Sequence, residues 1–294
     1  VHQEANIIYP VSVDLGGRRI IIYNKHQEKD PKVRIQYASK HAHLGNGWKK
    51  WMGVIEGINN FKGVQKKKHF DKSFTEWAYK SRQRGAYLNL ISDFEKVYSE
   101  YEPYRLATTY LSETALQIEV LTFAANFNKL SQVTKDTPQG EIDKLVANAK
   151  EATKVFFKDY YQPIDEEVAA MVLQEYIDNQ PEGFRPELLN TIVEKYADVQ
   201  AYVDELFANT MFVSEENVNK FLDEFKASKA KKLAKDPALM AYNNVMDFYL
   251  NNVKPKSVEL NDQISDLQRV FMRGQMEYHA DQNPDKKIDR KSVV

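Results

Sequence analysis

The sequence predicts a mainly α, multi-helix domain. Apolar residues recur at three- and four-residue intervals through several long segments, the stripe that an amphipathic helix turns toward a core. Asp-Pro or Thr-Pro pairs head three segments. Each pair places a capping side chain before a residue whose fixed φ suits the first helical turn. The Pro-containing breaks between segments are short, which favours antiparallel neighbours over separate domains.

In chain order, residues 1–30 form a short leading segment, the only part with strand character. Ile7-Ile8-Tyr9 and Ile20-Ile21-Ile22-Tyr23 are β-branched and aromatic, set apart by Pro10 and Gly16-Gly17. A helix from about Arg18 competes with that reading, because a short apolar run carries no decisive period. Residues 31–281 read as the helical domain. Helices start at Asp30-Pro31, Thr137-Pro138 and Asp236-Pro237, and at Ser214 with Glu215 and Glu216 behind it. Stripes run through Ile142, Leu145, Val146, Ala149 and Phe156, and through Ile164, Val168, Met171, Val172 and Tyr176. The cleanest joins Leu188, Leu189, Ile192, Val193, Tyr196, Val203, Leu206 and Phe207, and Leu260, Ile264, Leu267 and Phe271 mark a last long helix. Breaks are expected near Glu102-Pro103, Lys135–Pro138, Gln162-Pro163, Pro181–Pro186 and Lys254-Pro255. Residues 282–294 are polar and Pro-interrupted, a frayed or truncated tail.

The 294 residues suffice for a substantial core, and 43% hydrophobic with 28% charged is a globular balance. A net charge of −1 gives no whole-protein attraction to nucleic acid or anionic lipid. With no Cys there is no disulfide, thiolate ligand or thiol nucleophile. No apolar run approaches the about 20 residues of a membrane helix. The opening Val1-His2-Gln3-Glu4 lacks the basic start and apolar middle of a signal peptide, and there is no initiating Met. The chain therefore reads as a mature or excised piece.

A search for chemistry excludes more than it finds. No metal or cofactor motif is present, and no Ser stands in a nucleophile context. His41 and His43 diverge by about 200° on a helix and cannot share a metal. The acids of Asp165-Glu166-Glu167 and Glu215-Glu216 fall at helix starts, where the macrodipole favours them. Lys66-Lys67-Lys68, beside Phe70 and Trp77, reads as a solvated helix face rather than a nucleic-acid patch.

The stretch from Pro31 to Lys62 is the densest in Trp, Gly and His. Trp48 and Trp51 share a helix face with Ile55 and Ile58. Gly53 and Gly57, four apart, would thin that helix for another backbone to approach. Gly45-Asn46-Gly47 reads locally as a helix stop and turn. Alternatively, Asn46, held by packing of Trp48 and Trp51, offers its carbonyl oxygen to a ligand ammonium.

DPKVRIQYASKHAHLGNGWKKWMG resembles the start of the helical domain in the bacterial dipeptidyl-peptidase 7 and 11 family, serine peptidase family 46, which commonly shows Y-A-S-K-Y-A followed by N-Y-W-K there. The likeness continues at FFKDYYQPIDEEVAAMVLQEYIDNQP, ANTMFVSEENVNKFL, KKLAKDPALMAYN and LQRVFMRGQME, spanning about residues 14 to 280 in order. It implies a multi-helix cap or insert of a chymotrypsin-like double β-barrel. In that family the barrel carries a Ser-His-Asp triad and the helical domain closes the far end of the cleft, so that dipeptides leave a free peptide N-terminus. By the same likeness Asn46 holds the substrate α-ammonium, with Trp48 and Trp51 in support. That role suits an oxygen acceptor, since hydrogen bonds to a charged group are the strong ones.

This chain departs from the pattern at Gly47, where the family has Tyr, which leaves the backbone at Asn46 less restrained. The resemblance places no catalytic residue here: His and Asp of the triad would precede residue 1 and the nucleophilic Ser would follow residue 294. The chain is thus expected to be a fragment. Asn283-Pro284-Asp285-Lys286-Lys287 starts like the family's return to the barrel, but IDRKSVV does not continue it. The implied partners are peptides with a free N-terminus, the barrel and a second copy in a homodimer, with no cofactor, and the implied location is the periplasm or cell surface. The competing class is a stand-alone helical binding or scaffold protein.

Overall fold

The computed structural model describes the backbone of residues 2–283 and the side chains of residues 10–81 and 84–283. Fourteen α-helices and no strand form among these residues. Helices α1 (His2–Lys29) and α2 (Pro31–Asn60) make a long hairpin turned at Asp30. Its carboxylate accepts the Lys32 N–H at 2.8 Å, with Pro31 in the first turn, as the Asp-Pro pair predicts.

The strand expectation for residues 1–30 is corrected: Ile7-Ile8-Tyr9 and Ile20–Tyr23 both lie in α1. Burial explains the second run. Ser12, Leu15, Arg19, Ile22, Tyr23 and Gln27 are all buried, at intervals of three and four, while Ile21 is 67% exposed. Packing on a helix face outweighs the β-propensity of three successive isoleucines. Gly16 and Gly17 are no break either. They are where α1 meets Trp48, whose ring lies 3.5 Å and 3.4 Å from the positions a Cβ would take.

Helices α3 (Gly63–Tyr79) and α4 (Leu90–Glu113) follow, and then α5 (Glu119–Ala124) and α6 (Asn128–Ser131). The body continues with α7 (Gln139–Lys158), α8 (Gln162–Asn179), α9 (Glu187–Lys195), α10 (Val199–Asn209), α11 (Glu215–Asp223) and α12 (Ala230–Leu233). Helix α13 (Pro237–Phe248) passes through a π-turn at Tyr249–Val253 into α14 (Lys254–Gln282). Two expected breaks are absent: Pro103 lies inside α4, and Lys254-Pro255 continues the helical path into the first turn of α14. Pro255 needs no N–H there, which is why a proline can sit at a helix start. The breaks at Lys135–Pro138, Gln162-Pro163 and Pro181–Pro186 do separate helices. Ser214 and Asp236 cap as the sequence predicts, while Thr137 turns to Thr134 N–H instead of capping α7.

The main core runs from Ile22 and Tyr37 of the hairpin through Phe127, Leu173 and Phe212 to Val245. A smaller aromatic cluster joins α3, α4 and α14 through Phe74, Trp77 and Tyr87, with Phe70, Phe271 and Tyr278 against it. Gly274 on α14 admits Phe74 there; a Cβ at that position would lie 2.7 Å from the ring. Of the predicted tail, residues 284–294 lie outside the described residues.

Candidate functional site

Helix α2 is continuous through Gly45-Asn46-Gly47, so the local reading of a stop and turn there is corrected. Backbone bonding fixes Gly47 in mid-helix, a restraint that does not depend on its missing side chain. Gly53 and Gly57 have open space around the positions of a Cβ, so no backbone approaches them among the described residues.

The inner stripe of α2 is anchored along its length. Tyr37 is fully buried, its ring edge-on to Tyr23 with centroids 5.2 Å apart. Its hydroxyl donates to Glu119 at 3.0 Å and accepts the Tyr161 N–H at 3.3 Å. Lys40 donates to the other Glu119 oxygen and to the Asp159 carbonyl, each at 2.5 Å. Trp48 donates its indole N–H to the Val13 carbonyl at 3.1 Å. Trp51 continues the stripe, with Lys50 Nζ 5.0 Å from its ring centre.

Beneath this stripe lies a cleft of about 640 Å³ between α1, α2, the end of α4 and the start of α5. Tyr23, Trp48 and Trp51 give it aromatic walls, and Arg19, Glu113 and Glu119 give it charge. Arg19, 6% exposed, bonds Gln117 and lies 3.2 Å from Glu113, whose second oxygen accepts the Ser12 hydroxyl at 2.9 Å. Arg19 Nε is buried without a hydrogen-bond partner. Burial draws the Arg19 pKa down, against the opposing charge of Glu113. Burial, followed by the Glu119 charge, pushes the Tyr23 hydroxyl up to about 12.

Asp165 explains how α5 is held under the cleft. It is buried and accepts the Glu119 N–H at 2.6 Å and the Val120 N–H at 2.8 Å, the orphan donors at the N-terminus of α5. Burial first, and the Glu119 carboxylate second, push its pKa up to about 8. The helix-start reading of Asp165-Glu166-Glu167 is correct for position, since Asp165 lies in the first turn of α8. Its bonds, though, cross to another helix. Glu167 likewise crosses, to Lys25 at 2.7 Å and to His26 at 2.9 Å on α1.

Asn46 is exposed and does not line the cleft. It lies about 200° around α2 from Trp48 at 100° per residue. The structure therefore separates the three predicted site residues: Trp48 and Trp51 face the cleft, and Asn46 faces outward. Periodicity did not point to the polar set of Arg19, Glu113, Glu119 and Asp165. One signal was available, because Tyr37 and Lys40 are the ends of the Tyr37-Ala38-Ser39-Lys40 motif that the resemblance had singled out.

The described residues thus form a helical domain with a polar, aromatic-walled cleft beside one long helix. The chain is a member of the peptidase S46 family, whose family model matches residues 1–287. It is 27% identical over 281 residues to an Asp/Glu-specific dipeptidyl-peptidase of Flavobacterium psychrophilum, covering 95% of this chain and 39% of that protein. A dipeptidyl-peptidase 7 of Capnocytophaga gingivalis is 24% identical over 279 residues, with 93% and 38% covered. The crystal structure of Porphyromonas endodontalis DPP11 superposes with a TM-score of 0.75 at 19% identity, covering 95% of this chain and 39% of that one. This chain thus spans about two fifths of the length of these relatives.

Proposed function

We propose that this chain is the helical cap domain of a serine-type dipeptidyl-peptidase, which releases dipeptides from peptide N-termini, and that it contributes recognition of the substrate α-ammonium through Asn46. The observation that carries the reading is the family match over residues 1–287. In this reading the triad and its barrel belong to the part of the relatives that this chain, covering 39% of the first, does not span. The relatives' names place acidic residues among the preferred substrates of some members, and we extend acidic peptides to this protein as candidate substrates. A periplasmic or cell-surface location and a homodimer belong to the same proposal.

Geometry supports a division of labour on α2. The inward stripe of buried Tyr37 and half-buried Lys40 and Trp48 fixes the helix, and Asn46 on the opposite side keeps its amide oxygen open to a donor from outside. An ammonium held by such an oxygen makes a charge-assisted bond. The test is Asn46→Ala in the intact peptidase that contains this chain. It should lower kcat/KM on a dipeptidyl reporter by about 1.5–3 kcal/mol, the range for a hydrogen bond to a charged group. The isolated chain should not turn the reporter over. An unchanged kcat/KM would reject Asn46 as the amine contact, and turnover by the isolated chain would reject the cap assignment.

A further inference from the structure

The end of α10, α11, α12 and the start of α13 line a second depression, of about 590 Å³. Lys220, Lys229, Lys232 and Lys235 stand around it, and Phe221 contributes apolar surface, while Leu233 is buried. The concentration is local, because the whole chain carries a net charge of −1.

Two acids, Glu224 and Asp236, also line the depression and offset part of the charge, so four lysines face two carboxylates there. Asp236 is buried and occupied: it accepts the Thr210 hydroxyl at 2.7 Å, the Met211 N–H at 3.0 Å and the Ala238 N–H at 2.9 Å. Glu224 is held by Lys229 at 2.7 Å. The hydrogen bond from Lys229, with the charges of Lys229 and Lys220 behind it, keeps the Glu224 carboxyl below its ordinary range. The depression thus already holds one carboxylate beside an ammonium. Lys220, Lys232 and Lys235 remain exposed around it.

We infer that this lysine-lined depression is an exosite for acidic peptide segments, whose side-chain carboxylates pair with Lys220, Lys232 and Lys235. Charge complementarity names the sign of the occupant. The half-buried ring of Phe221 and the amides of Asn209 and Asn217 favour a peptide over a bare anion. The aliphatic stems of a Glu side chain can lie on the former, and its backbone can bond to the latter. The choice of a peptide rests on the proposed function, but the site itself rests on the charges and shape described.

The test is fluorescence anisotropy of a dye-labelled, N-acetylated, glutamate-rich octapeptide titrated with the full chain. The blocked N-terminus keeps the peptide from acting as an exopeptidase substrate, so the readout needs neither catalysis nor Asn46. Binding should be saturable and should weaken steeply with added salt. The variant K220Q/K232Q/K235Q should bind about tenfold more weakly, as expected for three exposed ion pairs. The corresponding lysine-to-arginine triple variant should keep binding, and unchanged melting curves for both would show the fold intact. Binding that is equal in the glutamine variant would overturn the inference. Equal competition by inorganic phosphate or by a single-stranded oligonucleotide would overturn the assignment to peptides.

Discussion

A glycine-to-alanine substitution should act in opposite directions on α2 and on α14. In a helix interior, alanine is favoured over glycine by about 0.5–1 kcal/mol, because glycine loses more backbone freedom on folding. At Gly53 and Gly57 a new methyl group meets nothing within 4 Å. Each substitution should then stabilise the chain by about 0.5–1 kcal/mol. At Gly274 the methyl carbon would fall 2.7 Å from Phe74 Cζ and 3.1 Å from Tyr87 Cδ1. Phe74 is fully buried and touches the rings of Phe70, Trp77, Tyr87, Phe271 and Tyr278, so its ring has nowhere to retreat. Overpacking of a filled core costs about 1–3 kcal/mol. At a contact this close the upper part of that range applies, and the propensity gain leaves a net loss of about 1–2 kcal/mol. Urea unfolding of the three single variants, followed by far-UV circular dichroism, reads both signs. A Gly274→Ala variant as stable as the parent would refute the packing argument. Destabilisation by Gly53→Ala or Gly57→Ala would refute the open-face reading of α2 and restore the close backbone approach that their four-residue spacing first implied.

Two further outcomes follow from the polar joint under the hairpin. Asp165 has a folded pKa of about 8, above its ordinary 3.8. The folded state therefore keeps a proton that the unfolded state gives up as pH rises through that window. This contribution to stability is full below pH 4 and is lost toward pH 8, with a slope of at most about 1.4 kcal/mol per pH unit. Asp165→Asn should lack it, so the stability difference between parent and variant should shrink from pH 4 to pH 8, and a gap that widens with pH would contradict the assignment. Tyr37→Phe removes the bond to Glu119 and leaves the Tyr161 N–H unpaired. It should lower stability by about 1–3 kcal/mol in equilibrium unfolding, and a neutral result would show that the hydroxyl is replaced, for instance by water.

How much of this could be read from the sequence depended on whether a residue's partner was local. The Asp30-Pro31 cap and the Ser214 cap bond within their own segments and form as patterning predicts, whereas the stripe ending in Leu206 and Phe207 is divided between α9 and α10, with Tyr196 extended between them and Val193 55% exposed. The leading segment is an exception to that rule: its partner α2 is the next helix in the chain, but the run at 20–22 does not itself say which of its faces that helix buries. Three isoleucines at 20–22 look like strand until α2 is present to bury Ile22 and leave Ile21 in water. Pro103 and Pro255 do not stop their helices: Pro255 stands in the first turn of α14, where no N–H is needed, and α4 carries Pro103 in its interior at the cost of one backbone hydrogen bond. The cleft was least legible. Arg19, Glu113, Glu119 and Asp165 come from four different helices, with Arg19 and Glu113 94 positions apart in the chain. No spacing rule brings such residues together.

The arrangement of α2 bears on what Asn46 requires of its surroundings. At 30 residues the helix is about 45 Å long at 1.5 Å per residue, and its anchors at Tyr37, Lys40 and Trp48 lie on one stripe with Asn46 on another. In the proposed amine contact, Trp48 therefore acts on Asn46 through the position of the helix rather than by contact. The same reasoning removes the concern raised by Gly47. A glycine loosens a loop, but inside a bonded helix with Trp48 locked to Val13 one residue further on, the backbone at Asn46 is set by its neighbours' hydrogen bonds. What glycine changes at position 47 is the surface beside Asn46. The tyrosine of the family pattern would have stood on the cleft-facing side, so its absence widens the cleft and leaves the outward face of Asn46 as it was.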